Sequence, residues 1–435
     1  MSSTDDAHVV VVGAGFAGVA CAKELGERGV AVTLIDKNSY QQFQPLLYQV
    51  ATAQLSADDI MRPLRGLFRK IESVAVKTVE VVAVDPVNRS VTTAEGQTFA
   101  GSHLVLAMGT KPNFFGVPGA AEHALPLYSA ADATALRNRI LRLFEEADLE
   151  PSRIERGALN FVIVGAGATG VETAGSLADL IYDVMPQRYH DLQVERAKIH
   201  LVDHGNVVLA PFSEKAHEYA AKVLTKKGVE LMLGQSVTEV ARDCVRFADG
   251  GEIATHCVVW AGGLSASVIE GTDQLATGRG GRIEAGQDLA VDGFPGVYAV
   301  GDVAMVAAPD GAPYPQLGSV ALQAGQAAAS SILADIDGTR SPSFSYHDKG
   351  IMAMIGRRAA VAEMGAHRHE LHGPIAFSAW LGVHAWLLST NRARIDAFVN
   401  WAWDSFSKSR SPAIIDDPDA PRIDWGEPTE ESLTT

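Results

Sequence analysis

Asp36 and Asp203 each close a run of apolar, β-branched character, "AVTLID" and "KIHLVD", and each follows a glycine triplet. Gly13, Gly15 and Gly18 stand in "VVVVGAGFAGVACAK", and Gly165, Gly167 and Gly170 stand in "FVIVGAGATGVETAG". The chemistry of such a set is nucleotide holding. The first glycine allows a tight turn, the second lets the backbone approach a pyrophosphate, and the third lets the helix pack close on its strand. The helix N-terminus offers unpaired N–H groups to the phosphates, and the acid accepts a ribose hydroxyl. A glycine turn with no ligand is the structural alternative, but here strand, helix and acid each stand where the chemistry needs them. The second acid lies farther from its glycines than the first, and the intervening "LIYDVMPQRYHDLQVER" predicts an extension of the helix before the strand. A carboxylate at Asp203 repels a 2′-phosphate, so NADH is favoured over NADPH. His204 beside it reads as a surface loop histidine.

Two such devices in one chain suggest two nucleotides, most economically a tightly held flavin and an exchangeable nicotinamide. A duplicated fold with one working site is the alternative. Other elements must position these loops. "HLVLAMGTKPNFFGVPG" predicts a buried strand ending at Gly109 and Thr110, and "HCVVWAGGLSAS" repeats that design around Gly262. "GVYAVGDVA" predicts a strand ending at Gly301 and Asp302, and an acid at the carboxyl end of a parallel strand lies where ligands bind. A helix is expected from about Gln316 to Leu333, with its N-terminus placed to favour negative charge on a reduced flavin ring.

Composition narrows the class. The chain has 435 residues, which implies two or three domains, and its 41 glycines cluster at turns between apolar runs, as in an α/β enzyme. A net charge of −16 argues against a nucleic-acid role. Three scattered cysteines, Cys21, Cys244 and Cys257, cannot build a disulfide framework or a four-cysteine cluster, which points to a reducing compartment. No metal site is expected. The start "MSSTDDAHVV" lacks the basic and apolar regions of a signal peptide, and no window reaches the roughly 18–20 apolar residues of a spanning helix.

With these motifs the chain resembles the two-dinucleotide flavoprotein reductases. No redox cysteine pair follows the first loop. Instead "FQPLLYQVATAQLSADDI", "GAGATGVETAG", "VVWAGG", "YHDKGIMAMIGRRAAVAEMG" and "WLGVHAWLLSTNRARIDAFVNWAWDSF" resemble the type II NADH dehydrogenases, single-subunit NADH:quinone oxidoreductases, over about residues 8–410. The resemblance implies an FAD site built from Gly13, Gly15, Phe16, Ala17, Gly18, Asp36, Lys37, Gly109, Thr110, Gly301 and Asp302. It implies an NADH site built from Gly165, Gly167, Thr169, Gly170, Asp203 and Gly262. It puts Glu172 beside flavin and nicotinamide, helping proton delivery, and it places Gln323 and Gln49 with the reacting quinone. The bland reading of Glu172 is a first-turn acid stabilised by the helix dipole. The family commonly carries A-Q-x-A-x-Q near the flavin. Here the stretch is "GSVALQ", so Ser319 replaces the first glutamine, which puts the quinone-binding details in doubt.

The expected fold is α/β, with two Rossmann-like dinucleotide-binding domains in a glutathione-reductase-like arrangement and a C-terminal amphipathic helical membrane-associating region. Residues 1–120 and 291–342 form the FAD domain, 121–290 the NADH domain, 343–411 the membrane-associating and dimerising region, and 412–435 a disordered acidic tail. The C-terminal block holds Trp380, Trp386, Trp401 and Trp403, an apolar face from Ile395, Phe398, Val399, Ala402 and Phe406, and flanking Arg392, Arg394, Lys408 and Arg410. That combination describes a helix lying in a membrane interface; a helix packed on the body or on a second subunit is the alternative. The expected function is hydride transfer from NADH to FAD and then two electrons to a membrane quinone without proton pumping. The expected place is the cytoplasmic face of the cell membrane, as a peripheral protein and a homodimer. The competing functions are a soluble NADH-dependent flavin reductase with another acceptor and a flavin-based redox sensor.

Overall fold

A computed structural model describes residues 7–365 and 367–387, together with Ile395, Val399, Trp401, Arg410 and residues 412–417 and 423–425. The principal elements, in chain order, are β1 (His8–Val12), α1 (Phe16–Glu27), β2 (Ala31–Asp36), α2 (Leu47–Ala51), β3 (Val74–Thr78), β4 (His103–Leu106), β5 (Leu125–Pro126) and α3 (Ala130–Leu149). They continue with β6 (Asn160–Val164), α4 (Ala168–Ala178), β7 (Lys198–Asp203), α5 (Glu214–Lys226), β8 (Val229–Leu233) and β9 (Cys257–Trp260). The last are β10 (Val297–Ala299), α6 (Gly318–Ile336), β11 (Gly350–Gly356), β12 (Ala359–Met364), β13 (His369–His372) and α7 (Gly373–Leu387).

The chain divides into two units. The first takes residues 1–42, 61–113 and 264–348; the second takes 43–60, 114–263 and 349–435. These boundaries differ from those read in the sequence. The segment Phe43–Ile60 joins the second unit, and so does the C-terminal stretch from Lys349.

The core of the first unit is a five-stranded parallel sheet in the order β10-β4-β1-β2-β3. Val9, Val10 and Val11 are fully buried, which is why this strand reads as a continuous β-branched run with no polar alternation. Helices α1 and α6 pack so closely that a Cβ on Gly325 would stand 2.1 Å from the Ala17 carbonyl oxygen. The observed α6 starts within two residues of the expected position.

The second unit repeats the plan, with a parallel sheet in the order β5-β9-β6-β7-β8. Phe161, Val162 and Ile163 of its central strand are fully buried. The extra residues after α4 do prolong the helix, as a π-helical turn at Asp179–Val184 and a 3-10 turn at Met185–Gln187. An antiparallel sheet of β11, β12 and β13 packs against α4 and α7. Gly175 makes that contact close, since a Cβ there would meet the Ile355 carbonyl oxygen at 2.2 Å.

The described part of the acidic tail differs from the disorder expected for residues 412–435. Residues 412–417 and 423–425 are held against the second unit rather than left disordered. Asn138 donates to Asp416 at 2.9 Å, Arg142 to the Asp417 carbonyl at 3.0 Å, and Arg188 to the Ala413 carbonyl at 2.7 Å. The Trp425 ring lies against His256 with centroids 4.2 Å apart and under the guanidinium groups of Arg153 and Arg156. The acidic composition misleads here because most of the partners seen for its described residues are arginines far away in the sequence, invisible to a local reading.

 Those arginines are Arg137, Arg142, Arg153, Arg156, Arg188 and Arg242, beside Asn138, Glu146 and His256.

Candidate functional site

The two glycine loops are built alike. Gly13 has φ +99°, and a Cβ there would stand 2.3 Å from the Ala107 carbonyl oxygen. Gly165 has φ +107°, and its Cβ would meet the Gly262 Cα at 2.9 Å, which explains why a small residue follows β9. Gly18 and Gly170 face the carbonyl oxygens of Gly13 and Gly165 at 1.8 and 1.7 Å from a built Cβ, so helix and turn touch through bare backbone. Gly15 and Gly167 differ from these: nothing lies within 4 Å of their built Cβ positions. They are the N-caps of α1 and α4, and neither helix receives a side-chain cap. α3, in contrast, carries a full capping box from Ser129 and Asp132. Open space beside an uncapped helix start is what a pyrophosphate needs, because the unpaired N–H groups and the dipole then serve the ligand.

Each acid is held by its own loop. Asp36 accepts from Ala14 N and Asn38 N, both at 2.7 Å. Asp203 accepts from Ala166 N at 2.6 Å and Gly205 N at 2.7 Å, with His204 Nδ1 3.3 Å away. The carboxylates are thereby oriented at the ends of β2 and β7. Lys37 and Thr169 are exposed beside them. Phe16 lies against Gly318, and Ala17 packs against Gly301 and Gly325, so Ala17 serves helix packing.

Within the first unit, Gly109 has φ +69° and Thr110 is buried, starting a short strand that pairs with Leu264–Ala266. Gly301 has φ +73° where β10 ends, and Asp302 follows. Burial pushes the Asp302 carboxyl above its usual range, and Arg282 opposes this. Arg282 is itself fixed by the carbonyl oxygens of Ala304 at 2.8 Å and Tyr314 at 3.1 Å. On α6, the Gln323 amide is spent at both ends on His347, donating to its carbonyl at 3.1 Å and accepting from its N–H at 2.9 Å. Ser319 Oγ lies 2.9 Å from the Tyr346 hydroxyl. Both side chains therefore fasten the segment after α6.

Within the second unit, Glu172 is 9% exposed, and its Oε1 accepts from Met354 N at 3.1 Å. Burial pushes its carboxyl up to about 8, while the Met354 amide and the Trp380 indole favour the charged form. Gln49 is fully buried. It accepts from Trp401 Nε1 at 2.8 Å and donates to the Tyr48 hydroxyl at 3.0 Å. Sequence reasoning missed Tyr48, Trp380, His384 and Arg410 as parts of this chamber, and the aromatic richness of the last block was the available signal. Trp380 and Trp401 are 0% and 6% exposed, so these two tryptophans pack inward instead of forming an interfacial belt. Trp403, Arg392, Arg394, Phe398, Ala402, Phe406 and Lys408 lie outside the described residues, as does the side chain of Trp386.

The three cysteines are buried and free, and burial pushes the Cys21 and Cys257 thiols up to about 12, which makes them inert. Among the described residues no cluster could hold a metal ion, and no helix is long and apolar enough to cross a membrane.

Comparison with known proteins fits this geometry. The family profile of the pyridine nucleotide-disulphide oxidoreductases matches residues 7–325. A type II NADH:quinone oxidoreductase of Mycobacterium tuberculosis, Ndh, is 36% identical over 431 residues, covering 95% of this chain and 91% of its own. The NDH2 structure from Plasmodium falciparum in complex with NADH shares the fold with a TM-score of 0.86 at 18% identity, over 94% of this chain and 99% of the other. The sulfide:quinone oxidoreductase of Aquifex aeolicus is also similar, with a TM-score of 0.71 at 18% identity, over 93% and 96% of the two chains.

Proposed function

We infer the function from the family: the chain belongs to the type II NADH:quinone oxidoreductases, within the pyridine nucleotide-disulphide oxidoreductases. It is an FAD-dependent enzyme that oxidises NADH and reduces a quinone. A bound FAD supplies the two-electron chemistry, taking hydride equivalents from NADH and releasing them to the acceptor. The observation that carries this reading is the pair of uncapped helix starts, each with open space at its second glycine and an acid oriented by its own loop. Family membership favours this reading over a soluble reductase with another acceptor or a redox sensor.

The protein's own part is binding, orientation and proton handling. Gly13, Gly15, Gly18 and Asp36 hold the flavin nucleotide, and Gly165, Gly167, Gly170 and Asp203 hold NADH. Asp302, steadied by the nearby Arg282, serves the FAD side of the first unit. Glu172 keeps a proton at neutral pH because burial raises its carboxyl to about 8, and it gives that proton to the reduced acceptor. Gln49 and Gln323 act by fixing their surroundings, since both amides are occupied within the protein.

The C-terminal block associates with the cytoplasmic face of a membrane and carries the homodimer contact. Exposed Ile375, Leu387, Ile395 and Val399 support an apolar face there. Sedimentation with lipid vesicles and the oligomeric mass in detergent test the two parts separately. The catalytic reading is tested by anaerobic NADH oxidation with and without a short-chain quinone. Fast quinone-dependent turnover, much weaker with NADPH, is expected. Flavin reduction by NADH without quinone-dependent turnover would remove the quinone assignment.

A further inference from the structure

In the order β11-β12-β13, strand β11 stands at the edge of its sheet. An edge strand leaves backbone N–H groups for other parts of the chain to cover. Helix α4 covers them with one face. Glu172, Gly175 and Asp179 are spaced three and four residues apart and so share that face. Their contacts follow the strand in order. Glu172 accepts from Met354 N at 3.1 Å, Gly175 lets the Ile355 carbonyl approach, and Asp179 Oδ2 accepts from Arg357 N at 2.7 Å. The proposed function uses Glu172 and gives Asp179 no task. Asp179 is 3% exposed, and its other oxygen takes the ammonium of Lys227, the residue that closes α5. A carboxylate so deeply buried is tolerated only when paired and hydrogen-bonded. Gly356 makes room for this pair: a Cβ there would stand 2.6 Å from Lys227 Cε and 2.9 Å from Asp179 Oδ2. The ladder between β11 and β12 shifts its register between Met354 and Gly356. At that point the sheet alone does not fix where the Met354 N–H stands, and the two carboxylates of α4 grip the strand on either side of the shift.

We propose that Asp179, paired with Lys227, is a positioning residue: by holding the Arg357 N–H it fixes the irregular end of β11 and so keeps the Met354 N–H on Glu172. The proposal rests on the proton-handling reading of Glu172. Burial pushes that carboxyl up to about 8, and the Met354 amide, followed by the Trp380 indole, works against the rise. Losing the Met354 bond therefore raises it further. The other titratable groups on the elements around α4 have settled states or partners. β11 carries none. On α2, burial holds the Tyr48 phenol well above its usual value, so it stays neutral. On α7, burial pushes His384 down to about 4, so it is neutral as well. On β7, His200 lies 3.2 Å from Glu230 of β8, and Asp203 is taken by its own loop. Asp183, in the π-helical turn, lies 4.0 Å from the Arg357 guanidinium. Arg410 donates to the carbonyl oxygens of Thr52 at 2.5 Å and Ser176 at 3.2 Å.

The test is the pH profile of kcat for NADH and a short-chain quinone in the flavin-loaded full-length enzyme. Wild type should lose activity along an alkaline limb, and Glu172→Gln should lack that limb. Asp179→Ala removes the acceptor for Arg357, so its limb should move up by roughly 0.5–1 on the pH scale, the worth of one hydrogen bond. Asp179→Asn keeps an acceptor and should not raise the limb. Gly356→Ala changes no charge but forces the Arg357 N–H away from Asp179, so it should raise the limb too; it carries the test if Asp179→Ala does not fold. The sign separates this from a direct charge effect, since removing a negative charge near Glu172 would move the limb down. A limb that moves down in Asp179→Ala overturns the proposal. So does an unmoved limb in both Asp179→Ala and Gly356→Ala, with kcat lowered evenly at every pH as for a merely structural residue. In either case Glu172→Gln still lacks the limb and the Glu172 reading stands. A limb that survives Glu172→Gln removes the Glu172 reading, and the role of Asp179 with it.

Discussion

The two glycine loops are alike in their glycine geometry and in the acids they hold, and unlike in what surrounds them. Seven residues after the first glycine, the first helix carries Ala20 and the second carries Glu172. α1 is packed against α6, a helix that arrives 300 residues later, whereas α4 is packed against the hairpin strand β11 through Gly175. The first unit places a half-buried acid, Asp302, just after its edge strand. The second has Gly262 after β9 where the first has Gly109 after β4, and it carries a buried acid, Glu172, on its helix. On the function proposed above, nucleotide holding falls to the parts that the two units share, and proton handling to the part in which they differ.

The glycines offer the largest way to break that comparison. Gly18→Ala and Gly170→Ala make the same backbone clash, and overpacking of this kind costs about 1–3 kcal/mol or more. Gly18→Ala should yield protein without bound flavin, read from its visible absorbance. Gly170→Ala should keep the flavin and weaken NADH by at least about tenfold in a reduction titration. Loss of flavin from both would mean that the loops are not separate sites.

Glu172→Gln comes next, with an expected fall in turnover of roughly 10²-fold at neutral pH if Glu172 serves as the general acid. The sign for stability is also fixed. The folded carboxyl is raised from 4.5 to about 8, so its favourable contribution is complete below 4.5 and is lost as pH rises to about 8. Glu172→Gln should flatten that slope in thermal melts. Asp203→Asn should reduce the preference for NADH over NADPH by about tenfold, the scale of one charge-assisted hydrogen bond. Asp36→Asn should leave that ratio unchanged and lower flavin retention. The smallest effect belongs to Ser319→Ala, about fivefold or less on quinone KM, because its hydroxyl contacts Tyr346 at an exposed position.

The shared parts of the two units were the legible ones. A β-branched run, three glycines and a terminal acid form a local pattern, and both parallel sheets and both loop-held acids follow from it. Contacts between distant segments were not legible. "FQPLLYQ" announced a specialised stretch, yet nothing local tells that Gln49 is taken by Trp401 and Tyr48. Gln323 reads as a free amide on a helix, and only the fold brings the backbone of His347 to it. The tail reads as a solvated acidic run because its partners are arginines on α3 and beyond. Trp380 and Trp401 read as membrane-interface residues by type, and packing against Tyr48 and each other turned them inward.

The edge strand β10 has a consequence for synthesis. The second sheet draws all five strands from residues 125–260, but the first cannot be completed until residues 297–299 have been made. On the ribosome the later-encoded sheet is thus the first that can close, while β4 waits with one edge unpaired. Domains generally fold as units once their sequence has emerged, and an unpaired edge is a site for wrong pairing. Nascent chains arrested just before β10 should resist protease across the second sheet and be cut in the first; equal resistance would show that the first sheet closes without its last strand. Gene order and folding order run opposite ways in this chain, and the interval between them is when a chaperone would have most to do.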